Sequence, residues 1–481
     1  MENTPSGKTA FRELMKVEDR GIEPVGPEEQ TSGPGELFWI WFAGNISILG
    51  LPLGIWVVAG ELNLWQALIA ATIGAVGSFA IVGIVSIAGQ RGGAPSLTLS
   101  RAVFGQLGNF GPTIVAILSR WGWETVNTVT AGYAVLSIGT ILVGRELTPQ
   151  NSPILTVFAV LLFLLATLAV SGIGHEMLAT FQKWATYIFG ALTLVVVAFI
   201  VVQVDWSAVI SAEAGSWSTV FLGIGVVAAG TGLAWANSGA DIARYQSKTV
   251  PARTLILSCA VGAGIPLVIM IGTGSLIAIT NPGFDADNPL ASIPELLPAW
   301  MSVPFLISAF AGLLLSNNIS VYSSGLTLLT MGIKARRITA VMIELCVALI
   351  GSVLFFFVIG SFYGPFITFI TYLAIPLTAW LGVFLVDMIG RQRYDARGLL
   401  QMNASSPYWY KAGIEWRAVS SWLIAIIVGF SFEFAPLNDT FIAANGLPWL
   451  VTLLLSGILY FALGGAKGSG TETSPSEQES R

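Results

Sequence analysis

Long apolar runs separated by short polar loops recur along nearly the whole chain. Each run has about 20 residues, which is long enough to cross the hydrocarbon core of a bilayer as a helix. The pattern therefore predicts an all-α, polytopic membrane protein. The predicted spans number about twelve, at 37–60, 64–89, 110–141, 153–172, 178–203, 218–240, 254–279, 301–329, 339–360, 365–386, 417–436 and 447–464.

The sixth predicted span is poorly suited to form a continuous helix. Residues 223–241 read GIGVVAAGTGLAWANSGAD, and each glycine costs a helix about 1 kcal/mol relative to alanine. The first span carries a similar segment, AGNISILGLPLG, at 43–54. Glycine and proline are common in membrane helices, so one such segment would mean little. Two of them, five spans apart, favour two inverted five-helix repeats with a binding site at the bilayer midplane.

The chain divides into two polar ends and one transmembrane transporter domain. The polar ends are predicted to be a cytoplasmic N-terminal tail and a disordered cytoplasmic C-terminal tail. The predicted boundaries are 1–35 for the first tail, 36–465 for the domain, about 37–203 and 218–386 for its repeats, about 417–464 for two extra helices, and 466–481 for the second tail.

Composition and charge exclude a soluble protein and predict an orientation. The chain is 54% hydrophobic and only 10% charged, with a mean hydropathy of +0.77. Of its 22 lysines and arginines, 20 fall in the two ends or in alternate loops on one side; Arg120 and Arg145 are the exceptions. The positive-inside rule then places both termini in the cytoplasm. We expect a multi-pass protein of the plasma membrane.

Charged residues inside predicted spans are candidates for function. Arg120 and Glu124 lie one helical turn apart in the third span and could pair on one face. An uncompensated charge at mid-span costs about 2.5–3.5 kcal/mol, so such a pair has a structural or a functional reason. Contact with a substrate and transfer of a proton both remain open. Glu344 in the ninth span is a lone acid, either linked to a proton or simply a neutral buried carboxyl.

The eighth span concentrates polar side chains around Ser316, Asn317 and Asn318. Asparagine amides both donate and accept hydrogen bonds, as the edge of a heterocycle does. The alternative is hydrogen bonding between helices, which is worth about 0.6 kcal/mol on average. His175 is the single histidine and is expected at the surface of a loop.

One histidine and two distant cysteines do not supply the clustered ligands of a metalloenzyme, and no phosphate-binding loop is evident. An enzyme is therefore disfavoured, and we expect no nucleic-acid partner. The remaining class is a solute carrier that needs no cofactor beyond a coupling ion. We expect its partners to be a small-molecule substrate and the lipid bilayer, with a monomer as the transport unit.

Five segments together resemble the nucleobase–cation symporter family 1, and within it the purine–cytosine permease branch. They are RGIEPV at 20–25, WFAGNISILGLPLG at 41–54, GWETVN at 122–127, AWANSGADIARY at 234–245 and SNNISVYSSGL at 316–326. The resemblance implies a leucine-transporter-like fold of two inverted five-helix repeats plus two C-terminal helices. It also implies import of a nucleobase or related planar heterocycle by cation symport with alternating access.

The resemblance implies specific site residues. Trp123 and Trp235 would sandwich the heterocycle. Asn127, with Asn317 or Asn318, would provide selectivity through hydrogen bonds to the edge of the ring. Arg120, which stands where cytosine permeases have a neutral glutamine, and Glu124 are further candidates, as is Asn45 in the first broken segment. The family's sodium site would map to Ala43, Ile46, Gly312 and Ser316. Leu315 replaces a second hydroxyl there, which leaves proton coupling open with Glu124 as a candidate carrier.

Two other functions stay open. Arg120 motivates a different small solute on the same fold, such as a vitamin precursor, an allantoin-like compound or an anion. A membrane sensor that binds without transporting belongs to another class; binding without flux in proteoliposomes would identify it.

Overall fold

The computed structural model describes residues 17–281, 292–294, 296–359 and 363–465. Most of these residues lie in apolar helices that we label α1 to α12. In chain order they are α1 (Pro34–Asn45 and Gly50–Ala59), α2 (Leu64–Gly92), α3 (Phe110–Val143), α4 (Pro153–Ser171), α5 (His175–Gln203), α6 (Trp217–Ala243), α7 (Ala252–Thr280), α8 (Ala299–Thr330), α9 (Arg337–Ile359), α10 (Tyr363–Gly390), α11 (Trp416–Glu433) and α12 (Pro448–Ala462).

The all-helical, multi-spanning prediction is confirmed. Within the described ranges, ten helices are long and apolar enough to cross a membrane, and α1 is an eleventh span bent by 62° at its break. The twelfth predicted span is α12, which has 15 residues and so rises about 22 Å, less than the roughly 30 Å of a bilayer core. The predicted C-terminal tail at 466–481 lies outside the described residues.

The packing of the helices repeats after five spans. The contact of α1 with α7 has its counterpart in that of α6 with α2, and α3 packs on α4 as α8 packs on α9. The pair α4–α8 likewise corresponds to α9–α3, while α3 and α8 pack on each other. This is the relation expected of two inverted repeats, with α11 and α12 packing outside them against α10.

The N-terminal segment, residues 17–33, does not lead away from the bundle. It lies across the face that carries the start of α1 and the end of α12, which we call the terminal face. The Val25 amide donates to the Gly93 carbonyl at 2.8 Å, and the Gln30 amide nitrogen donates to the carbonyls of Gln90 and Arg244 at 3.0 and 2.9 Å. The described part of the predicted tail is thus packed against the helices.

This segment also corrects the prediction for His175. The histidine is 6% exposed, since the N-terminal segment covers it, and its main-chain amide donates to Glu18 at 2.9 Å. Its ring stacks on Tyr245 at 4.4 Å and its Nε2 lies 2.9 Å from a Glu36 oxygen. His175 is therefore buried at the start of α5 and is not a surface residue.

Candidate functional site

Helix α6 is broken where its glycines cluster. Thr231 has φ −126° and ψ −109°, between two helical segments, and Gly230 and Gly232 flank it. The freed Gly232 amide donates to the Ser78 hydroxyl of α2 at 3.1 Å, which replaces a helix hydrogen bond. A side-chain carbon on Gly232 would lie only 2.6 Å from the Phe79 amide nitrogen, so glycine permits this approach. The break predicted from the sequence is present.

Helix α1 is broken at the corresponding place, between Asn45 and Gly50. The Asn45 side-chain amide donates to the Trp41 carbonyl at 2.8 Å, which ends the first half of the helix. The second half packs closely on α7: a Cβ on Gly54 would lie 2.8 Å from the Ser275 amide nitrogen. The two broken helices are thus held by close backbone contacts with α2 and α7.

A small cavity lies where the two breaks meet α3 and α8. Of the predicted site residues, it brings together five, and further lining comes from both breaks. The lining residues are Gly44, Asn45, Ser47, Leu49, Gly50, Leu53, Trp123, Asn127, Gly230, Thr231, Trp235, Leu267 and Ser316.

The two predicted tryptophans line this one cavity from different helices, Trp123 from α3 and Trp235 from α6. Two side chains pack against the Trp235 ring. Trp41 packs edge-on against its ring at 5.6 Å, and the Arg120 guanidinium lies over the ring at 4.4 Å from the centroid. Because Arg120 does not line the cavity, it covers the side of the indole that faces away from it. A pattern of residues could not have identified Trp41 as a support.

Arg120 forms its hydrogen bonds with α6 and not with Glu124. Its Nη2 donates to the Asn237 side-chain oxygen at 2.7 Å and to the Ala234 carbonyl. The structure forms no ion pair between Arg120 and Glu124, whose Oε1 instead accepts from the Ser320 hydroxyl at 3.0 Å. The pairing considered from their spacing is therefore wrong, because the broken α6 offers Arg120 free backbone and amide acceptors.

The predicted asparagines separate into two groups. Asn45 and Asn127 line the cavity, and the buried Oδ1 of Asn127 has no hydrogen-bond partner. Asn317 and Asn318 turn toward α4. The Asn317 amide donates to the Thr167 hydroxyl at 3.1 Å, and Asn318 accepts from the Ser171 hydroxyl at 3.1 Å. In this conformation only the first group faces the cavity.

The predicted sodium residues lie at the junction of α1, α5 and α8. Gly312 packs on the first break so closely that a Cβ there would be 2.8 Å from the Ile46 carbonyl oxygen. Ala43 is buried against Leu315, and Ser316 lines the cavity. The set offers one hydroxyl, since Leu315 is apolar and its carbonyl already accepts from the Gln182 amide of α5 at 2.7 Å. The predicted set therefore offers main-chain carbonyl oxygens and a single side-chain hydroxyl as cation ligands.

A cluster around Glu18 ties the N-terminal segment to the terminal face. Its Oε1 accepts from Arg244 at 2.9 Å and from the Tyr245 hydroxyl at 2.6 Å, and Arg337 lies 3.8 Å from Oε2. Arg244 also donates to the Tyr322 hydroxyl at 3.0 Å. The N-terminal segment therefore joins the ends of α6, α8 and α9, a contact that the sequence alone did not indicate.

The electrostatics of Glu18 explain why this attachment holds near neutral pH. Burial raises the pKa of the carboxyl, but Arg244 and Arg337 outweigh burial and hold that pKa below its ordinary value of 4.5. A carboxyl with a lowered folded-state pKa stabilises the structure above its ordinary pKa. That contribution is lost as the pH falls through the lowered value.

Asp241 lies between the cavity and the Glu18 cluster. Its carboxylate accepts from the Ser96 amide at 2.7 Å and from the Ser323 hydroxyl at 2.6 Å. It thus ties α6 to α8 and to the start of the short helix Ser96–Phe104, and forms no ion pair with Arg244.

An aromatic cluster adjoins the cavity on the side of the second half of α1. Phe369 of α10 and Trp56 pack with Leu49, Trp123 and Val126. Phe369 fits against Gly122, where a Cβ would meet its ring. The cavity therefore has an apolar cover at this end. Sequence reasoning missed Phe369, because nothing distinguishes it from the chain's many other phenylalanines.

Comparison with known proteins supports both the fold and the class. Residues 24–447 match the family described as permease for cytosine/purines, uracil, thiamine and allantoin. YxlA of Bacillus subtilis (strain 168), classed by name with the purine–cytosine permeases, is 26% identical over 472 residues, which cover 93% of this chain and 96% of that protein. The purine-cytosine permease FCY2 of Saccharomyces cerevisiae is 22% identical over 281 residues, 56% of this chain and 50% of FCY2.

Solved structures agree. Mhp1, described as a nucleobase-cation-symport-1 family transporter in a closed conformation with bromovinylhydantoin bound, matches with a TM-score of 0.77 at 18% identity, covering 96% of this chain and 98% of Mhp1. MhsT in complex with L-phenylalanine matches with a TM-score of 0.57 at 13% identity, covering 91% of this chain and 98% of MhsT. At these identities the structural matches establish the fold alone.

Proposed function

We propose that this chain, which belongs to the permease family for cytosine/purines, uracil, thiamine and allantoin, imports a nucleobase or a closely related planar heterocycle together with a cation. The members of that family are membrane transporters and not enzymes. Its relatives named purine–cytosine permease favour this substrate class. The observation that carries the proposal is the cavity at the two helix breaks, lined by Trp123 and Trp235.

The cavity's chemistry suits a flat, hydrogen-bonding ring. Indole faces stack on any base, at about 1–3 kcal/mol per base in nucleic-acid systems. Asn127 then supplies selectivity, because its unpartnered Oδ1 accepts from a ring N–H or an exocyclic amine. Asn45 and Ser316 add polar groups at the two other walls.

An anionic substrate is less suited to this site. Arg120 is the cation that would attract it, but its guanidinium is engaged by Ala234 and Asn237 and stacks on the back of Trp235. The cavity lining contains no lysine or arginine. Neutral heterocycles are therefore favoured.

Transport in this proposal follows alternating access, with the terminal face on the cytoplasmic side. The basic residues of the loops on this face support that orientation, and so a plasma-membrane location with both termini in the cytoplasm. In this proposal the Glu18 cluster is the closure of the cytoplasmic route. A co-transported monovalent cation gains about 2.3 kcal/mol per 100 mV of membrane potential, close to fiftyfold accumulation.

The test is uptake of labelled cytosine, adenine, guanine, hypoxanthine, uracil and allantoin by cells that express the full chain. We expect accumulation of at least one purine or cytosine, with competition among the bases that share its site. Equal uptake by cells lacking the protein, for every compound, would reject the proposal. Strong competition by carboxylate analogues would instead favour an anionic solute.

A further inference from the structure

A cluster of buried polar groups lies outside the cavity, between α3, α8 and α9. Glu124 and Glu344 are both fully buried. The Glu124 Oε1 accepts from the Ser320 hydroxyl at 3.0 Å, and the Trp121 indole N–H donates to the Glu344 Oε2 at 2.5 Å. Both carboxyl groups approach the hydroxyl of Ser324, and they interact electrostatically with each other.

The cluster is not a structural ion pair. Throughout the described part of the chain, no lysine or arginine lies within ion-pairing distance of either carboxyl group. The Glu124 Oε2 and the Glu344 Oε1 are buried without a hydrogen-bond partner. Two carboxylates buried together would repel each other and lose their hydration with no cation in compensation. The pair therefore holds at least one proton.

Few other charges face this pair. On α3, Arg120 interacts electrostatically with Glu124, and on α6 Asp241 interacts with Arg120. Helix α8 presents serine hydroxyls to the pair, and α9 presents Glu344 itself. Within the described ranges, α4 and α10 present no charged group to either carboxyl. A change in the charge of the pair therefore acts mainly on Arg120.

Arg120 connects the pair to the cavity wall. It lies one turn before Glu124, donates to acceptors on α6 and covers the back of Trp235. Its Nε is buried without a hydrogen-bond partner, as is the Glu124 Oε2. Residues four apart on a helix are within reach of each other, so an ionised Glu124 offers Arg120 an alternative partner. A protonated Glu124 does not, and Arg120 then remains on α6.

We infer that Glu124 and Glu344 form the binding site of a co-transported proton. We also infer that the position of Arg120, which packs on Trp235, depends on whether this proton is bound. The inference rests on the proposed import function and names its cation. A proton from the external water neutralises Glu124 while substrate binds. After the cytoplasmic side opens, the same proton leaves to the cytoplasmic water, and the ionised Glu124 draws Arg120 away from α6.

The first test uses the purified full chain in proteoliposomes, with the labelled base that the uptake panel identifies. We expect a pH gradient to drive accumulation equally well in sodium and in choline buffers. Glu124→Gln should abolish accumulation yet retain exchange of external labelled base for internal unlabelled base, since exchange needs no net proton release. Glu146→Gln, at an exposed position far from the pair, is the matched control and should behave as wild type.

The inference would be overturned if the Glu124→Gln variant still accumulated base in proportion to the pH gradient. It would also be overturned if accumulation strictly required sodium in both the wild type and this variant. A residue with a structural role alone would lose exchange together with accumulation, and that result would also count against a proton site. Glu344→Gln is the second variant. This variant leaves Arg120 as the only charged neighbour of Glu124, which favours ionisation of the Glu124 carboxyl. Protonating Glu124 then takes a higher proton concentration, so proton-driven uptake should shift to lower pH.

A second measurement needs no substrate. Infrared spectra of the full chain in lipid at neutral pH should show the C=O stretch of a buried protonated carboxyl group, weakened in Glu124→Gln or Glu344→Gln and unchanged in Glu146→Gln. Absence of that band in the wild type would overturn the proton site. If the band is present but no base in the panel is transported, the proposed substrate class fails and the proton site stands.

Discussion

The aromatic walls of the cavity give the most direct test of how the protein would hold its substrate. Trp123→Ala removes one wall and leaves the α1 and α6 breaks untouched. Stacking on an aromatic ring is worth about 1–3 kcal/mol per base. That loss corresponds to a fall in affinity of roughly 5- to 160-fold. Trp123→Phe keeps a ring in place and should lose much less.

The assay is the concentration dependence of base uptake, together with direct binding to the purified variants. Trp184→Ala is a matched control, because Trp184 is 61% exposed on the outer surface of α5. We expect binding to weaken in the order wild type, Trp123→Phe, Trp123→Ala, with the control unchanged. Trp123→Ala protein that binds base with wild-type affinity would refute the stacking model, since no other group on α3 could replace that wall.

Three further perturbations test the site and its surroundings. Gly232→Ala forces a methyl group onto the backbone of α2 and should destabilise the protein by about 1–3 kcal/mol in thermal unfolding, whereas Gly77→Ala, at a glycine with no atom within 4 Å, should not. Asn127→Ala removes a hydrogen bond worth about 0.5–1.5 kcal/mol, so KM should rise roughly 2- to 13-fold and selectivity among bases should fall, as competition assays would show. Glu18→Gln breaks a buried ion pair at a cost of about 3–5 kcal/mol, so hydrogen exchange of residues 17–33 should rise at neutral pH. In wild type the same rise should appear only below pH 4.5, because the Glu18 pKa is lowered; a rise between pH 6 and 7 would contradict that assignment.

The sequence carried the parts of the fold that depend on local chemistry. Hydrophobic run length predicted the spans, and clustered glycine predicted the breaks in α1 and α6. Because a broken span must line a cavity, the placement of Trp235 beside one followed. Trp123 needed the family resemblance, since a single tryptophan among 16 has no distinguishing pattern.

The remaining features depend on which helices meet. The spacing of Arg120 and Glu124 suggested a pair, but the acceptors that Arg120 uses exist only because α6 is broken and lies against α3. Asn317 looked suited to a substrate edge, yet its partner Thr167 is on a helix 150 residues away in the chain. His175 looked exposed because a folded-back N-terminal segment leaves no periodic signal.

Helix α6 is tied to its surroundings at three levels, and this constrains how transport can be coupled. Arg120 holds it to α3, Asp241 to α8, and Arg244 to the N-terminal segment. A hydrogen bond to a charged group contributes about 1.5–3 kcal/mol, so three attachments, taken as additive, contribute roughly 5–9 kcal/mol.

Moving a two-state equilibrium from 1:99 to 99:1 takes about 5.5 kcal/mol, so these attachments suffice to hold the described conformation. The Arg120 attachment is only about a third of this total, and in the proposed cycle it is released after the cytoplasmic side has opened. The Asp241 and Arg244 contacts must therefore exchange partners in the opening step itself. A variant that weakens the Glu18 contact should consequently relax the dependence of opening on the coupling ion, and uncoupled leak of substrate is the result we expect from it.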